Sequence, residues 1–307
     1  MNIDTLKQWI KTYGVKNVVL RGLFTKLPVI PMSKDELLRR MNWQMRARKR
    51  LVKYVRVTEA DPQLEARNCH RNSIWFMWFQ GVENAPPIVH KCYESIRMNM
   101  KDTGYELIVL DENNMFDYVH LPETITKKWK NGSIGNANFS DLCRIALLCE
   151  YGGLWLDATT LLTGQIDKEI LNADFFFLQA SFLDFTATKV SNWLISANTA
   201  GNGFLLSIRD TLLAYWEQND TIDDYFIFHL VVAELSERVG LKEQFEKMPF
   251  FTNTYPLLLG RELNAQYDEK RFDHITKCSA IHKLTYKDLD ENKEDSFYRH
   301  ILGLEFG

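Results

Sequence analysis

Hydrophobic residues follow two different periods along this chain. Near the N-terminus they recur every three to four residues, whereas residues 73–79 and 105–110 are almost continuous apolar runs. The first period is typical of an amphipathic helix, and a short continuous run is typical of a strand buried on both faces. The pattern therefore predicts an N-terminal helical accessory segment, residues 1–58, followed by an α/β domain over residues 72–307.

Strands and helices alternate through the predicted domain. Further strands are expected at 154–156, 175–180, 193–197 and 279–284, and helices at 88–100, 204–216 and 221–239. Such alternation predicts a parallel sheet that binds its ligand beyond the carboxyl ends of the strands.

The most informative stretch is residues 138–164, which read NFSDLCRIALLCEYGGLWLDATTLLTG. Ser140 is predicted to begin a helix, because its hydroxyl can accept a hydrogen bond from an amide of the first turn. Gly152 and Gly153 end that helix, and a short apolar strand then brings Asp157 to the edge of the sheet. An acid at this edge, followed by threonine hydroxyls, is suited to a metal ion or a sugar.

Asp141 and Arg144 lie three residues apart on the same predicted helix, away from its apolar face. A buried arginine can donate several hydrogen bonds to hydroxyls or phosphate, and an aspartate can accept from sugar hydroxyls or pair with the arginine. The alternative is a structural pair on an exposed helix face, which contributes little stability.

The segment SDLCRIALLCEYGGLWLDATTLL closely resembles the core of the capsular polysaccharide synthesis glycosyltransferases. This group is related to the family 32 sugar transferases and more distantly to the clostridial glucosylating toxins. The combination of S-D-x-x-R and Y-G-G-x-W-x-D is far more specific than an isolated D-x-D. The resemblance covers about residues 72–300. It implies a GT-A (Rossmann-like) fold, a nucleotide-activated sugar donor, usually a divalent metal ion, and retention at the anomeric carbon.

The resemblance also implies roles for particular residues. Asp141 and Arg144 match the helix pair that contacts the donor sugar and its phosphates. The end of the first strand would meet the nucleotide base, which implicates Trp78, Gln80 and Gly81, although Trp78 is equally well explained as a core residue.

Later positions receive weaker assignments from the same resemblance. Asn198 stands before a small-residue turn that faces the sugar site in the relatives. Asp224 belongs to a D-Y-F-x-x-H string that recurs in the family and would orient a hydroxyl of donor or acceptor. Acids in the first turn of a helix also suit its dipole without any function, and His229 is expected to be a core histidine.

Asp157 is the expected anchor for a Mn²⁺ or Mg²⁺ ion on the donor diphosphate, with Lys283 as a nearby cation. The sequence reads Asp157-Ala158-Thr159, however, and a threonine hydroxyl is a poorer ligand than a second carboxylate. The metal is therefore held by Asp157 and Thr159 with a late residue such as His282, or it binds weakly, or it is not needed. For His282 and Lys283 an ordinary strand-edge role is an equal alternative.

Composition narrows the possible function classes. The 307 residues carry a net charge of −3, which gives no general attraction to nucleic acid. Five cysteines without a C-x-x-C pair predict reduced thiols rather than disulfides or zinc. The N-terminal sequence is too polar for a signal peptide and no apolar run is long enough to span a bilayer, so a cytoplasmic location is expected.

Residues 34–56 are strongly basic, with nine Lys or Arg against two acids, and Ser33 with Glu36 forms a capping box. A basic amphipathic helix can lie on an anionic membrane, here the inner face of the cell membrane. The preferred alternative is an accessory helix packed on the catalytic domain with a solvated basic face.

The resemblance implies a retaining glycosyltransferase that moves a hexose, galactose or glucose, from a UDP-sugar to a lipid-linked oligosaccharide in capsular or exopolysaccharide biosynthesis. The missing second aspartate motivates an alternative, a non-catalytic module that binds a nucleotide sugar or glycan. A nucleotidyltransferase ranks last, because the loop QGVENAPP after the first strand lacks the glycine-rich, basic character of a phosphate loop.

Overall fold

The computed structural model describes residues 3–26, 36–66, 72–180 and 187–306. The strands in these ranges are β1 (Ser73–Met77), β2 (Glu106–Leu110), β3 (Gly153–Leu156), β4 (Thr160–Leu162), β5 (Phe175–Gln179), β6 (Val190–Ala197) and β7 (Ile281–Lys283). Five of them form one sheet in the order β2-β1-β3-β6-β5, and β4 pairs with β7 in a second sheet. The mixed α/β architecture is consistent with the predicted Rossmann-like GT-A fold.

Helices cover the sheet and form the N-terminal segment. They are α1 (Ile3–Lys26), α2 (Glu36–Leu51), α3 (Pro62–Ala66), α4 (Pro87–Asn99), α5 (Glu123–Lys130), α6 (Asn136–Tyr151), α7 (Lys168–Asn172), α8 (Gly203–Gln218), α9 (Ile227–Leu235), α10 (Lys242–Glu246), α11 (Leu258–Glu262), α12 (Glu269–Cys278) and α13 (Phe297–Leu302). Within the described ranges, no helix combines the length and the apolar character needed to cross a bilayer.

The direction of the strands corrects the prediction of a parallel sheet. β1 is parallel to both β2 and β3, as expected, but β6 is antiparallel to β3 and to β5. Consecutive strands such as β5 and β6 can pair side by side in antiparallel fashion without a crossover helix. The start of β6, and not its end, therefore lies at the edge of the sheet where β1 and β3 end.

The centre of the sheet is buried on both faces, as the apolar runs predict. All five residues of β1 and all four of β3 are buried. Trp75 and Trp155 pair across these two strands, and the Trp75 indole donates a 2.9 Å hydrogen bond to the carbonyl of Gly152. The buried indole donor is thus satisfied within the core.

Helix α6 begins one turn earlier than predicted. Gly135 precedes its first residue, and Ser140 lies inside the helix, where its hydroxyl accepts a 3.2 Å hydrogen bond from Arg144. The added turn is held by tertiary packing, since Phe139 is fully buried and stacks on Trp129 with ring centroids 4.3 Å apart. The helix ends as predicted at the glycine pair 152–153, whose φ angles of 71° and 89° suit glycine.

Helix α9 is shorter than the predicted helix over 221–239. The segment before it is held by tertiary hydrogen bonds: Ile222 N donates to Thr12 O at 2.9 Å, and Asp223 N donates to the Tyr215 hydroxyl at 2.9 Å. Because these amides are used by other elements, they do not extend the helix. Asp224 accepts from Phe226 N at 2.9 Å just before the helix begins.

Helix α2 packs its apolar side on the α/β domain. Trp43, Ala47 and Leu51 are buried, and the Trp43 indole donates to the Asp223 carbonyl at 3.2 Å. The predicted capping serine, Ser33, lies outside the described residues. This packing supports the accessory-helix alternative, because the apolar stripe that a membrane would need is largely covered by protein.

Candidate active site

A cavity of about 590 Å³ opens beyond the carboxyl ends of β1 and β3. Its wall combines side chains that are far apart in the chain: Asp141, Arg144, Asp157, Asn192 and Lys283. Helix α6 supplies Asp141 and Arg144, and Asp157 follows the end of β3. Asn192 belongs to β6 and Lys283 to β7. The parallel strands and α6 therefore bring charged groups to one edge of the sheet, as the sequence predicts for β3 and α6.

Asp157 is held by three side chains. The Trp155 indole donates to Oδ1 at 2.9 Å, the Lys283 ammonium donates to Oδ2 at 2.6 Å, and Arg144 lies 3.3 Å from Oδ1. Burial alone would raise the pKa of Asp157, but the charges of Arg144 and Lys283 outweigh it and hold the pKa below its usual value. The carboxylate is thus ionised and fixed in orientation.

Arg144 links the two carboxylates of the cavity. It lies 3.2 Å from Asp141, donates to the carbonyl of Asn192, and stands over the Trp155 ring at 4.9 Å. Only 6% of its side chain is exposed. The Asp141–Arg144 pair is therefore a buried pair at the cavity wall, and the alternative of an exposed surface pair does not describe it.

Asp141 is the carboxylate of this cluster whose charged form is disfavoured by its surroundings. Burial raises its pKa to about 6, with Arg144 opposing the shift and Asp157 adding to it. The Asn192 amide donates a 2.8 Å hydrogen bond to its carboxylate. A sugar hydroxyl in the cavity would provide the same kind of stabilisation, since it also donates to a carboxylate.

An aromatic wall faces the charged cluster. Trp78 and Tyr286 both line the cavity, and their rings meet edge to face with centroids 5.3 Å apart. The indole nitrogen of Trp78 is buried and has no hydrogen-bond partner in the described part of the chain. Gln80 lines the cavity beside them. Trp78 is therefore more than a core residue, and an unsatisfied donor points to a polar ligand.

The family model for capsular polysaccharide synthesis proteins matches residues 31–301. The chain belongs to this family. No curated protein is significantly similar to it. Membership indicates a glycosyltransferase-like enzyme of capsule biosynthesis, whereas the relationship to the family 32 transferases and the toxins stays a prediction. The matched region includes α2, so the limit predicted near residue 72 for the resemblance was too narrow.

Asn192 and Tyr286 line the cavity but were not predicted from the sequence. Asn192 precedes the predicted strand 193–197, and its place in the cavity follows from the antiparallel direction of β6. Tyr286 lies three residues beyond β7, and only its contact with Trp78 identifies it. An asparagine beside a buried strand is a weak signal that needs the strand direction to become informative.

Asn198 is not brought to the cavity. It follows the end of β6, whose last residue, Ala197, pairs with Gly153 at the beginning of β3. Its amide donates to the carbonyl of Asp174 at 3.2 Å. Because β6 runs opposite to β3, Asn198 lies at the far edge of the sheet from Asp157.

Asp224 and Gly81 are close in sequence to the cavity wall but are not part of it. Asp224 is 3% exposed and bonds to its own segment, while its neighbour Tyr225 lines the cavity. Gly81 has a φ of 82°, and its amide donates to the Trp78 carbonyl at 2.9 Å, so it shapes the turn after β1. Both residues can support neighbours in the wall rather than touch a ligand there.

The predicted metal shell is not assembled. Asp157 and Thr159 line the cavity, but His282 is fully buried elsewhere with Nε2 3.0 Å from the Thr163 hydroxyl. Neighbouring residues of a strand point to opposite faces, so Lys283 reaches Asp157 and His282 faces away from it. Among the described residues, no group of three His, Cys, Asp or Glu side chains is placed to hold a metal ion. The residues present do not fit that shell, and a need for Mn²⁺ or Mg²⁺ stays a prediction.

His229, expected in the core, lies in the cavity wall. Its ring packs edge to face on Phe226, with centroids 5.2 Å apart, and burial lowers its pKa to about 3. Its Nδ1 atom is buried and has no hydrogen-bond partner within the described ranges. The imidazole is therefore neutral at physiological pH and retains one unused polar atom.

Proposed function

We propose that this protein is a retaining glycosyltransferase that transfers a hexose, galactose or glucose, from a UDP-sugar to a lipid-linked oligosaccharide during capsule synthesis. The supporting observation is one cavity that combines an aromatic wall with a partly buried cluster of two cations and two carboxylates. Each part suits one portion of a nucleotide sugar.

The cations suit the diphosphate. Transfer requires stabilisation of the negative charge that develops on the departing nucleoside diphosphate, and preorganised donors in a partly dry site do this most effectively. Arg144 and Lys283 are both fixed by Asp157, so they need no rearrangement to meet that charge. Lys283 stands beside Asp157, the residue predicted to anchor a metal ion.

The aromatic wall and the carboxylates suit the two ends of the donor. Trp78 and Tyr286 offer ring faces and edges to a uracil base. Asp141 and Asn192 offer an acceptor and an amide to sugar hydroxyls. The preference for galactose or glucose would depend on a few such contacts.

Thermal stabilisation by nucleoside diphosphates and nucleotide sugars, each with Mn²⁺ or with EDTA, tests the donor assignment. We expect a shift specific to UDP compounds that survives EDTA, because Lys283 and Arg144 supply the positive charge. Lys283→Gln should abolish most of the shift. Lys130→Gln, at an exposed position of α5 outside the cavity wall, is the matched control and should leave it unchanged.

The other outcomes separate the alternatives. A shift that appears only with Mn²⁺ would restore the metal-dependent mechanism and contradict the role given to Lys283. Stabilisation by UDP-sugars without UDP release in the presence of membrane extracts would favour the non-catalytic binding module, which is motivated by the missing second aspartate. No shift with any nucleotide would refute the donor assignment.

A lipid-linked acceptor would place the enzyme at the inner face of the cell membrane. Although the apolar side of α2 is covered, Met45 of α2 and Val52, just after its end, are 42% and 45% exposed, and Lys49 between them is an exposed cation. We propose peripheral contact with anionic lipid through this surface. The protein should sediment with anionic liposomes at low salt and not with neutral ones, and equal binding to both would leave α2 as scaffold.

A further inference from the structure

A second cavity, of about 440 Å³, lies between α2 and the α/β domain. Helix α2 contributes Arg40 and Gln44, the start of β6 contributes Ser191, and the end of α11 contributes Arg261. Amide and hydroxyl groups make up most of the remaining polar lining. Within the described residues two arginines and no aspartate or glutamate line it, so both charged side chains of this described lining are cations.

The second cavity adjoins the first. His229 lines both of them. In β6, Ser191 lines the second cavity and the next residue, Asn192, lines the first. A molecule in the second cavity can therefore present a group to the proposed donor site past the His229 ring.

We propose that this second cavity is the acceptor subsite, and that it binds a glycan attached to a lipid through a diphosphate. Arg40 and Arg261 would bind the diphosphate, and a hydroxyl of the attached sugar would pass His229 to reach the donor. The inference rests on the proposed transferase function and adds to it the place and the chemistry of the acceptor.

The lining favours an anionic acceptor over a neutral glycan. Arginine presents planar, multiple donors that match phosphate oxygens, and its charge persists at any physiological pH. Neutral sugars need acceptors for their hydroxyl protons, and carboxylates, the strongest such acceptors, are missing from the described lining. The family match includes α2, which supplies Arg40, so this wall belongs to the matched part of the chain.

His229 is the positioning residue in this arrangement. Its buried Nδ1 has no partner among the described residues, and an unsatisfied buried polar atom costs about 1–3 kcal/mol. A hydroxyl of the acceptor sugar would satisfy it. In the transfer step the bond between the anomeric carbon and the donor phosphate oxygen breaks and a bond to the acceptor oxygen forms. The hydroxyl proton goes to the departing UDP.

Calorimetric titration with geranyl diphosphate, a short lipid diphosphate, tests the subsite on the full chain saturated with UDP. Saturating UDP fills the donor cavity, so geranyl diphosphate that still binds must occupy another site. We expect its binding to persist. Arg261→Gln and Arg40→Gln should each weaken it about tenfold or more. Arg46→Gln removes the same charge from the same helix outside both cavities and should leave it unchanged.

Several results would overturn the proposal. Loss of geranyl diphosphate binding on saturation with UDP would place it in the donor cavity. If the Arg46 and Arg261 substitutions weakened geranyl diphosphate binding equally, that binding would reflect general charge attraction and not a specific subsite. If inorganic pyrophosphate bound as tightly as geranyl diphosphate, the subsite would not recognise the lipid, and a lipid-linked acceptor would be contradicted. Lys283→Gln should weaken UDP and spare geranyl diphosphate, and UDP binding is measured on the same samples. Failure of the donor site and failure of the acceptor subsite are therefore distinguishable.

Discussion

The two edges of the central sheet differ in how closely the ends of β1, β3 and β6 pack. At the carboxyl edge of β1 and β3, side chains stand back from one another and leave a cavity lined by Asp157, Arg144 and Lys283. At the other edge, the backbones of neighbouring strands are in close contact. A Cβ atom on Gly153 would lie 2.4 Å from the carbonyl oxygen of Ser73, too close for any side chain.

The closed edge continues into the segment that joins the N-terminal helices to the domain. A Cβ on Gly201 would lie 2.2 Å from the Asp61 carbonyl, and the Asp61 amide donates to the Gly201 carbonyl at 2.8 Å. Thr58 N donates to the Ser207 hydroxyl of α8 at 2.9 Å. Among the described residues, backbone and small side chains are closely packed at this edge.

The comparison shows that one edge of the sheet contributes close packing and stability, whereas the other edge carries the candidate active site. Close packing stabilises the fold where glycine allows it, because dispersion contacts and backbone hydrogen bonds replace water. At the open edge, buried charges carry a desolvation cost that is offset by pairing, and removing one partner would expose that cost. Substitutions at the closed edge should therefore change stability, and substitutions at the open edge should change activity.

The largest effect is expected from Asp157→Asn at the open edge. The amide keeps the size but loses the charge that fixes Lys283 and Arg144, so UDP release during transfer should fall by about 10²-fold or more. The melting temperature should also fall, because Lys283 loses its carboxylate partner, whereas Arg144 keeps Asp141. Asp174→Asn, near the closed edge, is the control and should retain activity. Full activity of the Asp157 variant would remove this carboxylate from the mechanism.

Gly153→Ala should break the closed edge instead. The position has a φ of 89° and meets a backbone oxygen, so strain and overpacking together should lower the free energy of unfolding by about 2–5 kcal/mol in urea titrations. Gly104→Ala isolates the strain, because its φ is 80° but a Cβ would meet nothing within 4 Å. Similar losses in the two variants would contradict the close approach at Gly153.

The smallest effects come from two asparagines at the two ends of β6. Asn192→Ala removes a 2.8 Å hydrogen bond to Asp141 and should lower kcat/KM by about tenfold, the equivalent of one hydrogen bond to a charged group. Asn198→Ala, at the closed edge, should stay within about twofold of the parent. Equal losses of kcat/KM would mean that the direction of β6 does not decide which asparagine serves the donor site.

Much of the fold was predictable because it follows from local pattern. The apolar runs indicated β1, β2 and β3 within a residue or two, and the glycine pair 152–153 indicated the end of α6. Asp157 after a buried strand indicated the site edge. These features depend on burial period and on backbone conformations that only a few residues adopt, and both can be recognised in a short segment.

Other features were not predictable because they depend on distant partners. The early start of α6 follows from the packing of Phe139 on Trp129, and the late start of α9 follows from hydrogen bonds to residues 12 and 215. His282 and Lys283 are adjacent in sequence, and the pairing of β7 decides which of them faces Asp157. A shift of one residue in that pairing would exchange their positions.

The sequence by itself determined the family, the layered α/β class, and the presence of an aspartate and an arginine at the carboxyl edge of the sheet. The tertiary structure alone decided that β6 runs antiparallel, that Lys283 stands beside that aspartate, and that α2 closes a second cavity. The physical reason is that local propensity and burial act over a few residues. Strand direction, register and the pairing of charges are set by contacts between residues far apart in the chain, such as Leu156 with Leu194 and Asp157 with Lys283.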